Sequence, residues 1–212
     1  METVSFLTTA QIVEVISAFH DALEAHKESI NRLNVYPVPD GDTGTNMFLT
    51  VASVLEEMQP ADPNDLEAVC EAMSHGSLMG ARGNSGVILS QVLRGMSSGF
   101  AKANVIDAQV LASALTEASV AADGAVMKPV EGTILTVVRE VARAARGAAE
   151  TDALVQTIET ALREGEAALE RTPEQLNVLK EAGVVDAGGA GFLLLCHAIL
   201  RVLDGRELPE PE

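Results

Sequence analysis

Tryptophan is absent from this 212-residue chain, tyrosine occurs once, and aromatic residues make up only 3%. A β-sandwich or barrel resting on aromatic and β-branched pairs is thereby disfavoured, while the dominant Ala, Val and Leu suit close-packed helices. Basic residues are scarce: 14 Lys and Arg stand against 31 Asp and Glu, a formal charge of −17. That balance repels a phosphate backbone, no segment gathers Lys and Arg into a compensating patch, and nucleic acid is not expected as a partner. An anionic substrate must be met by metal ions, helix ends or the basic surface of another protein. The two cysteines, Cys70 and Cys196, form no CxxC and no second metal-type pair, so they read as buried reduced thiols rather than a structural zinc site. The N-terminal METVSFLTTAQ lacks the basic start and apolar core of a signal peptide. No apolar run approaches the roughly 20 residues of a membrane span, so a cytoplasmic protein is expected.

What is present is 47% hydrophobic content, enough to bury the core of one large domain. A first helix is expected from Thr8 or Thr9 to about residue 33, with Ile12, Val15, Ile16, Phe19, Leu23 and Ile30 at helical spacing. A second runs from about 44 to 58, ended by Gln59-Pro60, and Asp62-Pro63 offers a cap and first-turn proline to a third carrying Leu66, Val69, Cys70 and Met73. A fourth follows Met79–Gly86, and others are expected at about 106–126, 131–148, 152–170, 173–182 and 187–203, the last three behind Thr or Asp caps. Eight or nine helices with short connections predict an all-α bundle or ring of mainly antiparallel neighbours over residues 1–203. The charged, proline-rich 204–212 reads as a linker or disordered tail.

The segment Asn34–Met47, NVYPVPDGDTGTNM, sets Asp40 and Asp42 on a Pro- and Gly-bounded loop just before a helix. Hard cations take oxygen ligands and a helix start offers free N–H groups to phosphate, so this loop suits a metal–nucleotide complex. A plain Asp turn is an equal reading of the pair. An EF-hand fails: with Asp40 first, Thr45 stands where Gly is needed and Val51 where the bidentate Glu is needed. Few carboxylates with open coordination positions are what Mg²⁺ uses. Gly44 would let an oxyanion approach the backbone, with Thr43, Thr45 and Asn46 beside it, and the same residues also suit helix capping.

Gly80–Gly86, containing Gly83, Asn84 and Ser85, is a second candidate anion cradle with Arg82 as the nearby fixed cation. It is neither a P-loop nor a GxGxxG fingerprint, and Gly-rich turns between helices are common. Pro129–Thr133 and Val185–Gly191 also put Gly and an oxygen-bearing side chain before an apolar helix, so four helix starts are expected at one end of a ring. Tight helix packing is the competing reading for Gly188 and Gly191. His20, His26, His75 and His197 share no face and read as surface or core residues, and no nucleophile elbow is present.

Four segments in order, NVYPVPDGDTGTNM at 34–47, GARGNSGVILSQ at 80–91, PVEGTILTV at 129–137 and VVDAGGAGF at 184–192, carry a family resemblance. The chain resembles the nucleotide-binding domain of the dihydroxyacetone kinases and, more closely, the N-terminal domain of the bacterial fatty-acid kinases, from its first helix to about residue 203. The resemblance implies a barrel of eight antiparallel amphipathic helices with Mg–ATP held by loops at one end. It implies that Asp40 and Asp42 are the catalytic acids that bind two Mg²⁺ ions. Asn34 stands in as third metal ligand, where the dihydroxyacetone branch has an acid at the position of Val35. It implies phosphate contacts at Asn84 and Ser85 in the Gly83–Gly86 turn, donation by Thr133 to the β-phosphate, a nucleobase pocket at Ile134 and Val87, and a nucleotide-proximal loop at Asp186 and Gly188. The implied activity is transfer of the γ-phosphoryl of ATP to a fatty-acid carboxylate presented by a separate lipid-binding protein, giving an acyl phosphate. An ionised carboxylate acceptor needs no general base. Further domains, and a homodimer formed through them, are expected. A dihydroxyacetone-type kinase subunit, a non-catalytic ADP/ATP-binding regulatory module and a helical scaffold are the alternatives.

Overall fold

Thr8 opens the first helix with a reciprocal cap: its hydroxyl accepts from the Gln11 N–H, and the Gln11 side chain accepts from the Thr8 N–H at 2.9 Å. The computed structural model describes residues 5–151 and 153–211. The first four residues, Asp152 at the expected start of the seventh helix, and the final Glu212 of the tail lie outside the described residues. Among the described residues there are ten helices: α1 Thr9–Leu33, α2 Thr43–Met58, α3 Leu66–Gly80, α4 Gly83–Phe100, α5 Ala108–Gly124, α6 Ile134–Ala148, α7 Leu154–Glu170, α8 Thr172–Gln175, α9 Asn177–Ala182 and α10 Ala187–Asp204. Among the described residues the one β feature is an isolated antiparallel bridge between Leu7 and Ile106.

The eight long helices pack in sequence order, α1 on α2 on α3 through to α7, and α10 then sits between α7 and α1 to close the ring. The all-α ring expected from the helix count is therefore present, with the short α8 and α9 as a connector. Because neighbours are joined by short loops, successive long helices run antiparallel and the N-termini of α2, α4, α6 and α10 share one end.

Helix α10 also touches α2 and α6. Phe192, Leu195, Cys196, Ala198 and Leu200 on it are almost wholly buried, as expected of a helix that is apolar all round. This corrects the expectation that no segment is long and apolar enough for a membrane span: Ala187–Asp204 reaches a mean hydropathy of 1.4 over 18 residues. It is 67% buried, which places it as the core helix of this body. Phe19, Leu23, Met47, Leu89, Leu93 and Leu111 face it or its neighbours in one continuous core. Where α4 crosses α5 the backbones almost touch; a Cβ on Gly95 would lie 2.5 Å from the Ala118 Cα. Both cysteines are free and buried, and burial pushes their thiols up to about 11 for Cys70 and about 12 for Cys196, where they are inert.

Several boundaries differ from the sequence reading. The third helix is capped by Asp65, which accepts from the Ala68 N–H at 3.1 Å, while Asp62 is used in a turn onto the Asn64 N–H. The sixth begins at Ile134 rather than 131, because Val130–Thr133 is held in a turn. The seventh starts after Ala153, which makes no side-chain cap, instead of behind a Thr or Asp. The single helix expected at 173–182 is two, broken at extended Leu176, whose side chain and that of Gln175 pack under Gly132. The loop read at Gly80–Gly86 shrinks to Ala81–Arg82, with Gly83 already starting α4. After α10 the chain lies along the body: Arg206 pairs with Asp204 and Glu159, Leu208 packs on the core, and the Pro209 carbonyl bonds His26 Nε2 at 2.9 Å.

Candidate functional site

The loop from Asn34 to Asp42 turns through Gly41, whose φ of +67° gives the chain the left-handed step that a side chain would resist. The turn leaves Asp40 exposed and Asp42 half-exposed beside the start of α2. Buried Asn34 donates its amide Nδ2 to Asp40 Oδ1 at 2.8 Å, which fixes one acid of the pair. Asp42 occupies the N-cap position of α2 yet makes no side-chain cap bond, and Arg82 at the N-cap of α4 makes none either. Neither N-cap residue thus occupies the N–H groups of its helix, although in α2 the Thr45 N–H is taken by Asn31 Oδ1 of α1 at 3.1 Å.

These groups line a cleft of about 520 Å³, within the range of small-molecule sites. Its wall comes from four segments at the common end: Asn34 to Thr43, Gly83 to Ile88, Ala125 to Leu135, and Asp186 with Gly188. Of the site residues expected from sequence, Asn34, Asp40, Asp42, Thr43, Gly83, Asn84, Ser85, Val87, Thr133, Ile134, Asp186 and Gly188 all line it. Neither Asn84 nor Ser85 has a side-chain partner among the described residues.

Gly44, Thr45, Asn46 and Gly86 do not line the cleft; they stand behind it and fasten its wall. Thr45 is tied to Asn31 of α1 by two hydrogen bonds, 3.0 and 3.1 Å, and Gly44 lies against the Lys27 carbonyl. The Asn46 carbonyl accepts from Thr50 Oγ1, and Gly86 packs on that same hydroxyl. Thr133 is in the wall, but its hydroxyl donates to the Val130 carbonyl at 2.8 Å, so its proton is directed into its own loop rather than the cleft. The Arg82 guanidinium folds back onto the Met79 and Ala81 carbonyls. The cation in the wall is Lys128, which the sequence reading passed over because it lies in no Gly-rich segment. Val126 and Met127 were missed for the same reason, while Tyr36 and Val130 lie inside the Asn34–Met47 and Pro129–Thr133 segments, where attention went to the oxygen-bearing side chains.

Asp186 is 6% exposed and caps α10 through its Oδ2, which accepts from the Gly189 N–H at 2.7 Å. Burial pushes its carboxyl up to about 6, against the backbone N–H groups of Gly189, Ile134 and Gly188, which pull it down. None of the four histidines reaches the cleft: His20 stacks on Phe48, His26 bonds Pro209, and His75 and His197 face Glu57 and Glu166. Among the described residues no three His, Cys, Asp or Glu gather, so a metal here would take its remaining ligands from water or phosphate.

A family model, the DAK2 domain, matches residues 37–201, and the chain belongs to that family. Protein YloV of Bacillus subtilis (strain 168) is 48% identical over 198 residues, covering 93% of this chain and 36% of that protein. An uncharacterized protein of Staphylococcus haemolyticus is 48% identical over 187 residues, covering 88% of this chain and 34% of its own length. The chain thus spans about a third of these curated relatives. The crystal structure of the dihydroxyacetone kinase from C. freundii in complex with AMP-PNP and Mg²⁺ superposes over 95% of this chain and 36% of its own, with a TM-score of 0.65 and 18% identity. At that identity the likeness concerns the fold.

Proposed function

We propose that this domain binds a magnesium–nucleotide complex in the cleft and serves as the ATP site of a phosphotransferase. The observation that carries the reading is the pairing of two water-facing acids, Asp40 and Asp42, with two helix starts whose N-cap residues, Asp42 and Arg82, make no side-chain cap bond, all beside one cleft. The residues fit the group: Asp40, Asp42 and the Asn34 oxygen are hard donors, few enough to leave positions for phosphate and water. Magnesium, when bound, neutralises charge on the transferred phosphoryl. Asn34 Nδ2 holds Asp40 in place, the open N–H groups of α2 and α4 receive phosphate oxygens, and Asn84 and Ser85 supply further donors. Val87, Ile134 and the Ala125–Val130 connection offer apolar surface for a base. The structure determined for the C. freundii enzyme with AMP-PNP and Mg²⁺ supports a nucleotide here.

The acceptor we favour is a fatty-acid carboxylate delivered by a separate lipid-binding protein. The cleft wall offers no histidine, and its buried acid is engaged with backbone N–H groups, so an acceptor that is already ionised suits it. The fold shared with a dihydroxyacetone kinase supports a second reading, in which the acceptor is a hydroxyl. Calorimetry with Mg–ADP tests the nucleotide site, and saturation at about one hundred times the dissociation constant should stabilise the fold by about 2.7 kcal/mol. A flat titration and an unmoved melting temperature would reject the site. Single-turnover loss of γ-phosphate from ATP, with either a fatty-acid-loaded protein or dihydroxyacetone added, separates the two acceptors.

A further inference from the structure

Aspartate is the N-cap residue of four helices among the described residues: Asp42 of α2, Asp65 of α3, Asp107 of α5 and Asp186 of α10. Three of them act alike. Asp65 accepts from the Ala68 N–H at 3.1 Å, Asp107 from the Val110 N–H at 2.9 Å and Asp186 from the Gly189 N–H at 2.7 Å, each bond running to the third residue of its helix. Asp42 makes no such bond, although Thr45 stands at the same position in α2. The Thr45 N–H is occupied from elsewhere: it donates to Asn31 Oδ1 of α1 at 3.1 Å, and Asn31 Nδ2 donates in turn to Thr45 Oγ1 at 3.0 Å, which fixes the amide. The backbone agrees. Asp65, Asp107 and Asp186 are extended, the conformation from which a cap side chain folds over its own helix, whereas Asp42 stands at φ −120° and ψ 0°.

We propose that Asn31 is a positioning residue that caps α2 from the neighbouring helix, so that the Asp42 carboxylate is left free for the divalent ion. This rests on the magnesium–nucleotide reading and adds to it a residue outside the cleft lining. A carboxylate beside an open N–H has a strong competing partner, because hydrogen bonds to an ionised acceptor are among the stronger ones. With Asn31 on that N–H, Asp42 meets the ion without first giving up a bond. Asn34, one turn further along the chain, donates its backbone N–H to the Asn31 carbonyl at 3.2 Å and its side-chain amide to Asp40. The end of α1 thus serves both acids, one amide orienting Asp40 and the other releasing Asp42.

The test is calorimetric titration of ADP at a series of Mg²⁺ concentrations for wild type, Asn31→Ala and Asn31→Asp. In Asn31→Ala the Thr45 N–H is open and Asp42 takes it, as the other three aspartates take theirs. The Mg²⁺ concentration needed for half-maximal ADP binding should then rise about tenfold or more, the effect of one hydrogen bond to a charged group. The melting temperature should change little, since Asp42 supplies the lost cap, and a metal-free crystal structure of the variant should show an Asp42 Oδ on the Thr45 N–H. Asn31→Asp keeps an acceptor for Thr45 and should restore the Mg²⁺ requirement to within about threefold of wild type. An unchanged requirement in Asn31→Ala, a loss of ADP affinity that saturating Mg²⁺ does not recover, or no rescue by Asn31→Asp would overturn the capping role while leaving the nucleotide site standing. Wild type that binds no ADP at any Mg²⁺ concentration would instead overturn the nucleotide reading and this proposal with it. Should Asn31→Ala not fold, Asn31→Leu, which keeps the side-chain volume and lacks the acceptor, takes its place with the same outcomes.

Discussion

Asn34 and Asp40 are joined by a 2.8 Å hydrogen bond across the turn that precedes α2, so the amide presents the acid rather than merely standing beside it. Asp40 is exposed and Asp42 half-exposed, and neither carries packing, which separates their effect on binding from their effect on the fold. Asp40→Ala and Asp42→Ala should each abolish magnesium-dependent ADP binding while the helical circular dichroism stays at the wild-type level. Surface changes of this kind alter stability by only about 0.5 kcal/mol. Normal Mg–ADP binding by either variant would remove that acid from the metal site.

Thr133 heads α6 without capping it, and its hydroxyl instead holds the Val130 carbonyl. Thr133→Ala should therefore loosen the Val130–Thr133 turn and weaken nucleotide affinity by a modest factor, about three- to tenfold, as for one neutral hydrogen bond. A dissociation constant that does not move in calorimetry would show that the turn is held by Gly132 and Thr136 alone.

Much of this was legible from residue order. The apolar spacing of Ile12, Val15, Phe19 and Leu23 gave α1, and Gly beside Asp, Asn or Thr before an apolar run marked all four helix starts that meet at the cleft. Alternating direction in a ring of helices brings such starts together, which is why local motifs scattered over 150 residues meet at one cleft. The rest depended on packing that has no local signature. Gly44 and Gly86 looked like phosphate cradles but are the places where α2 meets α1 and α4. Leu176 breaks a helix because its surroundings include Gly132, some forty residues earlier, and Lys128 enters the wall from a connection with no pattern at all.

That lysine is the cation in a wall whose other charged groups are Asp40, Asp42 and Asp186. It has no ion-pair partner among the described residues. Lys128→Met should weaken Mg–ATP by a few-fold at low salt, with the difference from wild type shrinking as ionic strength rises, because an exposed charge is screened over about 8 Å at 0.15 M. Affinity loss independent of salt would point to a packing role for the side-chain stem instead.

Asp186 also sets a pH dependence. Burial pushes its carboxyl up from the ordinary carboxylate range to about 6 in the folded state. The folded state therefore binds this proton more tightly than the unfolded chain, and the group's contribution to stability is full below about pH 4 and lost as pH rises through 6. Unfolding free energies of wild type and Asp186→Asn, taken from urea titrations between pH 4 and 7, isolate it: wild type should lose up to about 3 kcal/mol relative to the variant over that range. Parallel curves would mean that the backbone N–H groups of Gly189 and Ile134 fully offset the burial.

Gly44 provides the last test, because it separates the wall of the site from its lining. A Cβ there would stand 2.2 Å from the Lys27 carbonyl oxygen and 3.1 Å from Asn31 Oδ1, both on α1, with no flexible side-chain end to give way at the closer contact. Gly44→Ala must push the first turn of α2 off α1, at a cost of about 1–3 kcal/mol, as for other overpacked contacts. The displaced turn carries Thr43 and follows Asp42 directly, and Thr45 would lose its bonds to Asn31, so Mg–ADP binding should fall together with the melting temperature. If Gly44 instead touched phosphate directly, the variant would keep wild-type stability and lose only affinity. Paired thermal melts and calorimetry distinguish the two outcomes.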